Sequence, residues 1–551
     1  MKVCYIWVEE FRNFRNFGLN LSNDFIYTYD PETHHIIRDE KPPLPRDFFH
    51  SDITDVTGII GKNGSGKTNC LELICMILKG GQSRLKTPFI VITQEKENLV
   101  CYSNNKGRDI WGAPTTNFEA TKIEYSRQIN GINPIFFSNV FDGREYNFDK
   151  DVANLSINKQ GRRQNSIREH LVFINSEKFK HLEIEKPKLV SLNIIIGDIL
   201  PSKKELEKIT TPFKPEQIRK IIKIADELSP TRQIITLISL LLTQKLFSYS
   251  AITALDNNNK SIFLKNINNT INNSSISDSD IDYLMESICS ECIQFIERNN
   301  KKITTTSQSK QNDMHTEINS LENLLTIKNI LHECDIQALR TNHKNKRCFT
   351  LGFNKKSQVL LQKTFDILNE RQHFECSWLG ISSGQKAYIN IFSSIYNSLF
   401  RSRNASIICI DEGDLYLHPE WQIQFFEKLN NVLPNLSSGK IQIAISSHSP
   451  FLLSDLPNQC LVVLDDDHAR TGFDTLTFGA NLYDLYSHGF FLGNRVCSQF
   501  ASNKIDALLS LYRQSSEKTL SETEQNKIKD YIGIIGEEII SFHLKRLISN
   551  G

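Results

Sequence analysis

The octapeptide Gly61-Lys62-Asn63-Gly64-Ser65-Gly66-Lys67-Thr68 constrains this chain more than any other stretch in it. It follows the apolar run VTGII and precedes TNCLELICMILKGG, which reads as a helix. Strand, glycine-rich loop and helix in that order fit G-x-x-x-x-G-K-[ST], where glycines let backbone N–H groups wrap a phosphate at a helix N-terminus. In such a loop Lys67 reaches the β- and γ-phosphate oxygens of a nucleotide, and Thr68 offers a hydroxyl to Mg²⁺. The expected fold class is therefore α/β.

Two later strands end in chemically useful groups. Ile407-Ile408-Cys409-Ile410 runs into Asp411-Glu412, where Asp411 suits a Mg²⁺ role and Glu412 can polarise a water as general base. Ala444-Ile445-Ser446-Ser447-His448-Ser449-Pro450 is a strand ending in His448, which can hydrogen-bond a γ-phosphate, and WQIQFFEKLNNVL between them reads as a helix. A carboxylate pair or a lone histidine at a strand end is commonly structural; the order behind the phosphate loop shifts the weight to catalysis. A fourth stretch, Leu379-Gly380-Ile381-Ser382-Ser383-Gly384-Gln385-Lys386-Ala387, reads as a helix start whose small residues leave amide N–H groups open to an anion.

Phosphate loop, Ser-Ser-Gly-Gln helix start, Asp-Glu strand and His-ended strand stand in the order of the ABC-type ATPases. Ile381 to Gln385 resembles their LSGGQ signature, with Ser383 in place of the first glycine. The resemblance implies an ABC-type P-loop ATPase head: a mixed central sheet flanked by helices, binding ATP and Mg²⁺. It also implies a homodimer or higher homo-oligomer in which Ser382, Ser383, Gly384 and Gln385 close over the nucleotide of a second subunit. The runs DEGDLYLHP from Asp411 and SSHSPFLL from Ser446 are similar to those of the SMC, RecF and overcoming-lysogenization (OLD) branch, and Phe11-Arg12-Asn13-Phe14-Arg15-Asn16-Phe17 resembles its opening "NFR" strand.

Within that branch, Thr477 to Leu485 and the following Gly489-Phe490-Phe491 resemble PtuA, the ATPase of Septu-type anti-phage systems, including retron-associated forms. What this implies is an ATP-controlled scaffold for an HNH nuclease, PtuB-like, with a retron reverse transcriptase and its DNA-RNA product as further partners. The alternative is a RecF- or OLD-like repair or recombination ATPase acting directly on DNA. A coupling glutamine is not placed by the sequence; Asn139 in IFFSNVFD is the nearest candidate.

The remaining chain is organised around these pieces. Residues 1–190 read as the first part of the head, 191–345 as a helical insertion, 346–480 as the second part of the head and 481–551 as a helical extension. Cys289-Ser290-Glu291-Cys292 admits a zinc hook between chains, but Ile281, Met285, Ile288, Cys292 and Phe295 recur as one apolar helix face, so a core role is favoured. Leu464-Asp465-Asp466-Asp467-His468 is weighed as a metal-binding nuclease strand and read instead as a solvated strand end.

With 64 Lys+Arg against 63 Asp+Glu, bulk charge supplies no attraction to nucleic acid or membrane. Any nucleic-acid contact would rest on local clusters: Lys203, Lys204, Lys208, Lys214, Arg219, Lys220 and Lys223, or Lys344, Lys346, Arg347, Lys355 and Lys356. No apolar stretch is long enough to span a bilayer, and twelve scattered cysteines favour buried thiols over a disulfide framework, so a cytoplasmic protein is expected.

Overall fold

The computed structural model describes residues 1–81, 85–104, 114–125, 127–140, 143–156, 166–196, 213–253, 257–273, 276–303, 308–339, 345–368, 373–400, 404–465, 468–473, 475–486, 498–515 and short stretches between 522 and 542. Its centre is a seven-stranded sheet in the order Ala153–Asn154, Ile132–Ser138, Ala405–Asp411, Ile441–Ser446, Ile53–Gly61, Leu461–Asp465, His468–Thr471. All neighbours are parallel except the last pair, a hairpin. Strands covered on both faces read as unbroken apolar runs, and Ile441–Ser446 is buried at every position.

The register decides where the chemistry falls. Ser138 lies opposite Asp411 and Asp411 opposite Ser446, while Gly61 lies opposite Leu464. Four strands thus deliver Ser138, Asp411, Ser446 and the phosphate loop to the same carboxyl edge, where open parallel sheets place ligands.

The helix Lys67–Leu78 that follows the loop is buried nearly all round. One side meets Ile59, Phe136, Ile407, Cys409 and Ala444 of the parallel sheet; the other meets Val3, Ile6, Val8, Phe14 and Phe17 of a second sheet. That second sheet has five strands in the order Phe14–Asn20, Lys2–Phe11, Phe89–Glu95, Asn98–Asn104, Thr121–Glu124. Its outer face carries Tyr5 and Trp7 against Tyr27, Tyr29 and Ile36 of a three-stranded sheet. A helix hydrophobic on all faces needs this double cover.

Residues 191–345 read as a helical insertion and carry five helices among the described residues, but at their start the chain is still a strand. Leu189–Ile195 is the hub of a four-stranded antiparallel sheet, flanked by Lys346–Gly352 and Phe374–Leu379, with Ile336–Leu339 at the edge. Val190, Leu192 and Ile194 are fully buried on one face, with Ser191 also buried opposite them, but the run is short and its partners lie far away in sequence. Helices Pro215–Glu227, Pro230–Thr253, Asn257–Asn273, Ile281–Ile303 and Gln308–Leu331 form the excursion between its strands.

The expected helix WQIQFFEKLNNVL is two helices, Pro419–Ile423 and Phe425–Leu436, broken at Gln424. Residues 1–480 form one compact unit and 481–551 a second, whose longest described helix is Gln499–Ser515. Among the described residues no helix is long and apolar enough to cross a membrane.

Candidate nucleotide site

The loop Gly61–Thr68 leaves its strand and enters its helix with Gly64 at φ 84° and Gly66 at φ 98°, values that a side chain rarely adopts. At Gly66 a Cβ would also stand 2.7 Å from the Phe14 ring, so this position has neither the conformation nor the space for another residue. Lys62, Asn63 and Gly64 are exposed at the loop tip, and Lys62 Nζ lies 3.4 Å from Asp465 Oδ1. Asp465 ends its strand half-exposed, as the solvated reading expected; Asp466 and Asp467 lie outside the described residues.

Lys67 is buried and folds back over the loop, its Nζ donating to the carbonyls of Gly61 (3.0 Å) and Lys62 (3.1 Å). Burial pushes its ammonium below the usual lysine range, opposed by Glu412 and Asp411. Ser65 Oγ is buried with no hydrogen-bond partner among the described residues. A cation satisfied only by carbonyls and an orphaned hydroxyl inside a ring of amides fit a polyphosphate.

Asp411 is 1% exposed and surrounded by hydroxyls. Ser446 Oγ donates to Oδ1 at 2.7 Å, Thr68 Oγ1 lies 3.0 and 3.1 Å from the two oxygens, and Ser138 Oγ donates to Oδ2 at 3.1 Å. Burial pushes the carboxyl up, and the bonds from Ser446, Thr68 and Ser138 oppose the shift. The Thr68 hydroxyl and the Asp411 carboxylate form a hard-oxygen pair of the kind Mg²⁺ takes beside phosphates. Sequence reading named Asn139 as the candidate coupling residue; instead Ser138 faces the carboxylate, and Asn139 Nδ2 turns to Gly413 O at 3.3 Å.

Glu412 adopts φ 48°, a left-handed conformation uncommon for a residue with a side chain. Its N–H donates to Ser446 O at 3.1 Å, which fastens the turn to the neighbouring strand. Its Oε1 stands 3.5 Å from His448 Nε2, and the bond to His448 holds its carboxyl below the usual glutamate range, against partial burial. The left-handed turn thus presents the Glu412 carboxylate beside His448 at the sheet edge.

The sequence reading passed over a network behind the loop. Glu72, 2% exposed in its side chain, receives both Arg12 and Arg144. Both arginines also donate to Asn69 Oδ1 at 2.7 Å, Asn69 Nδ2 donates to Asn13 Oδ1 at 2.6 Å, and Asn13 Nδ2 donates to Ser65 O at 3.4 Å. This network clamps the first turn of the helix against the Phe11–Phe14 turn. A glutamate inside CLELICMIL was the available signal, since a buried carboxylate needs partners.

The signature-like stretch lies on a different element. Ser382 caps helix Ser383–Leu399: its hydroxyl accepts from Gln385 N at 3.2 Å, and Gln385 Oε1 accepts from Ser382 N at 2.9 Å. The capping box uses both side chains internally and leaves the amides of Ser383 and Gly384 without intrahelical acceptors, as at any helix start. Gly384 is buried under Trp421, whose ring a Cβ would meet at 2.8 Å. No bond joins this stretch to Lys67, Asp411, Glu412 or His448 among the described residues.

The remaining expectations resolve as follows. Cys289 and Cys292 are both fully buried; burial pushes the Cys289 thiol up to about 12, and its sulfur lies 3.2 Å from Thr243 Oγ1. Arg347 pairs with Asp226, Lys346 with Glu375 and Lys356 with Glu333, so much of the second basic cluster is neutralised within the chain. Arg219, Lys220 and Lys223 are exposed on helix Pro215–Glu227; Lys203, Lys204, Lys208 and Lys344 lie outside the described residues.

The loop, the hydroxyl-bound Asp411 and the Glu412–His448 pair define the class: a phosphate-loop ATPase. A family profile described as an AAA ATPase domain matches residues 1–453, and the chain belongs to that family. The probable ATPase of retron Vc95 from Vibrio cholerae serotype O1 biovar El Tor is 28% identical over 188 residues, 32% of this chain and 32% of its own. The probable ATPase of retron Ec83 from Escherichia coli is 27% identical over 155 residues, 26% and 27% of the two chains. The Septu protein PtuA of Bacillus thuringiensis is 31% identical over 114 residues, 19% and 28%. The chain thus spans a third or less of the length of these relatives. A structure of the recombination mediator protein RecF with ATP aligns with 85% of this chain and 98% of its own at 12% identity, with a TM-score of 0.22.

Proposed function

We propose that this chain is the ATP-binding and ATP-hydrolysing subunit of an anti-phage defence system of the Septu or retron type, and that it assembles with and controls an HNH nuclease. The observation that carries the ATPase part is the convergence of Lys67, Thr68, Asp411, Glu412 and His448 at one sheet edge. The defence part is supported by the names of the relatives, two retron ATPases and PtuA.

In this reading MgATP supplies the phosphoryl group and the metal. The amides of the Gly61–Thr68 loop hold the β-phosphate and Lys67 exchanges its carbonyl contacts for phosphate oxygens. Thr68 and Asp411 would hold the metal, the hydroxyls of Ser138 and Ser446 fix the Asp411 carboxylate, and Glu412 would take a proton from the water that attacks the γ-phosphorus as the bond to ADP breaks, while His448 orients that water.

Two chains sandwich the nucleotide, the amides at Ser383 and Gly384 of each facing the γ-phosphate on the other. Leu415, Tyr416 and Ile423, exposed on the segment that runs from Glu412 through Trp421, the ring over Gly384, support a partner surface there.

The test is phosphate release by the purified chain, alone, with DNA and with a co-expressed HNH partner. Turnover abolished by Glu412→Gln and altered by the nuclease is expected. Strong stimulation by DNA without any partner would replace the defence scaffold with a repair ATPase.

A further inference from the structure

Asp414 has no part in the reading above, yet it is 4% exposed, and a carboxylate is expensive to bury without a role or a partner. Its partner is Ser447, whose Oγ donates to Asp414 Oδ2 at 2.7 Å. Ser447 Oγ also accepts from Ser449 N at 2.9 Å, so one hydroxyl both shapes the turn around His448 and ties that turn to the one carrying Glu412. Asp414 stands two residues after Glu412, and Ser447 directly precedes His448.

The backbone on the Glu412 side is fastened independently. Leu415 N donates to Glu412 O at 3.1 Å and Leu417 N to Asp414 O at 3.0 Å, closing a tight turn. Asn139 Nδ2 holds Gly413 O and Gln422 Nε2 holds Asp414 O at 3.2 Å. At Gly413 a Cβ would meet Ile410 at 2.6 Å and Phe425 at 2.8 Å, so the turn has no room to shift. Beside the Glu412–His448 pair itself, the Asp414–Ser447 bond is a side-chain link that crosses from one turn to the other. Burial pushes the Asp414 carboxyl up, opposed by the Ser447 bond.

We propose that Asp414 is a positioning residue for hydrolysis: through Ser447 it sets the distance between His448 and Glu412, and it touches neither nucleotide nor water itself. This rests on the ATPase reading above. A positioning residue of this kind acts on the chemical step and leaves ground-state binding alone.

The test measures steady-state ATP turnover and fluorescent-nucleotide affinity for wild type, Asp414→Ala, Asp414→Asn, Ser447→Ala, the Asp414→Ala/Ser447→Ala double variant and Glu412→Gln, with thermal melts as a check on folding. Asp414→Ala is expected to lower kcat about tenfold or more, with KM within about threefold. Asp414→Asn keeps an acceptor for the Ser447 hydroxyl and is expected to recover most of kcat. Ser447→Ala should match Asp414→Ala, and the double variant should be no worse than either.

Additive losses, an Asn variant as slow as the Ala variant, or loss of affinity in step with kcat would overturn the proposal. Should Asp414→Ala melt early, Ser447→Ala, which removes only a hydroxyl, decides by the same kcat and KM criteria. Turnover that responds to Glu412→Gln but not to Asp414→Ala or Ser447→Ala defeats the positioning role alone; turnover indifferent to Glu412→Gln defeats the ATPase reading beneath it.

Discussion

The carboxyl edge of the parallel sheet and the signature end of the four-stranded sheet are built on opposite plans. At the first, charged groups are buried and held by hydroxyls from neighbouring strands: Asp411 receives Ser446, Thr68 and Ser138, and Asp414 receives Ser447. At the second, the polar side chains of Ser382 and Gln385 satisfy each other, and the charges at the far end of the same sheet, Arg347 with Asp226 and Lys346 with Glu375, neutralise one another near the surface. The first is preorganised for chemistry, whose electrostatic parts must be fixed before the reaction. The second offers bare helix-start amides and no reacting group, which under the proposed sandwich is half of a site.

The sharpest break of this contrast is at the preorganised edge. Lys67→Ala removes a buried side-chain cation drawn into the loop interior, and nucleotide affinity should fall about 100-fold or more, read by fluorescent-nucleotide titration. Glu412→Gln should instead keep affinity and lower phosphate release by about 100- to 1,000-fold. If both variants lose affinity together, binding and chemistry are not separable at this edge.

These residues were legible because their signal is local. The loop octapeptide, the Asp-Glu strand end and the His-ended strand each announce themselves within ten residues. Ser138 and Ser446 were not, although both lie in stretches quoted from sequence, because only the register that sets them beside Asp411 gives their hydroxyls a partner.

The four-stranded sheet escaped for the same reason. Leu189–Ile195 finds Phe374–Leu379 across some 180 residues and a run of helices, and its strands carry charged or polar residues on the open face. Glu72 is an intermediate case: a carboxylate in an apolar helix demands a counter-charge, but nothing local says that Arg12 and Arg144 supply it.

A smaller effect tests the half-site. Ser382→Trp should leave nucleotide affinity of the single chain within about threefold, since no bond joins this stretch to the loop, and should abolish ATP-dependent dimerisation in a Glu412→Gln background. Gly384→Ala should act in the same direction by driving a methyl into the Trp421 ring, with a loss of stability as well. Light scattering with and without ATP reads both. A dimer that still closes with Ser382→Trp removes the signature stretch from the interface and leaves its helix start as an ordinary capping box.

The smallest expected effect concerns a titratable group buried without a charge near the signature helix. His170, 6% exposed on helix Ser166–Asn175, accepts from Trp378 Nε1 at 3.0 Å. Burial pushes it down to about 4 from its ordinary 6.5, with the Asn390 side chain opposing. The imidazole is therefore neutral in the fold and more easily protonated in the unfolded chain.

Its contribution to stability is complete above the unfolded value of 6.5 and is lost as pH falls toward the folded value of about 4. At pH 5 the loss amounts to about 2 kcal/mol, at ~1.4 kcal/mol per pKa unit. A His170→Gln variant, which can still accept from Trp378, should lose less stability than wild type between pH 7.5 and 5 in thermal melts. Because Asn390 belongs to helix Ser383–Leu399, acid should also weaken ATP-dependent dimerisation in wild type more than in the variant. Parallel melting curves for the two proteins would mean that the buried imidazole does not couple the signature helix to pH, and that the contrast between the two regions is one of placement rather than of sensitivity.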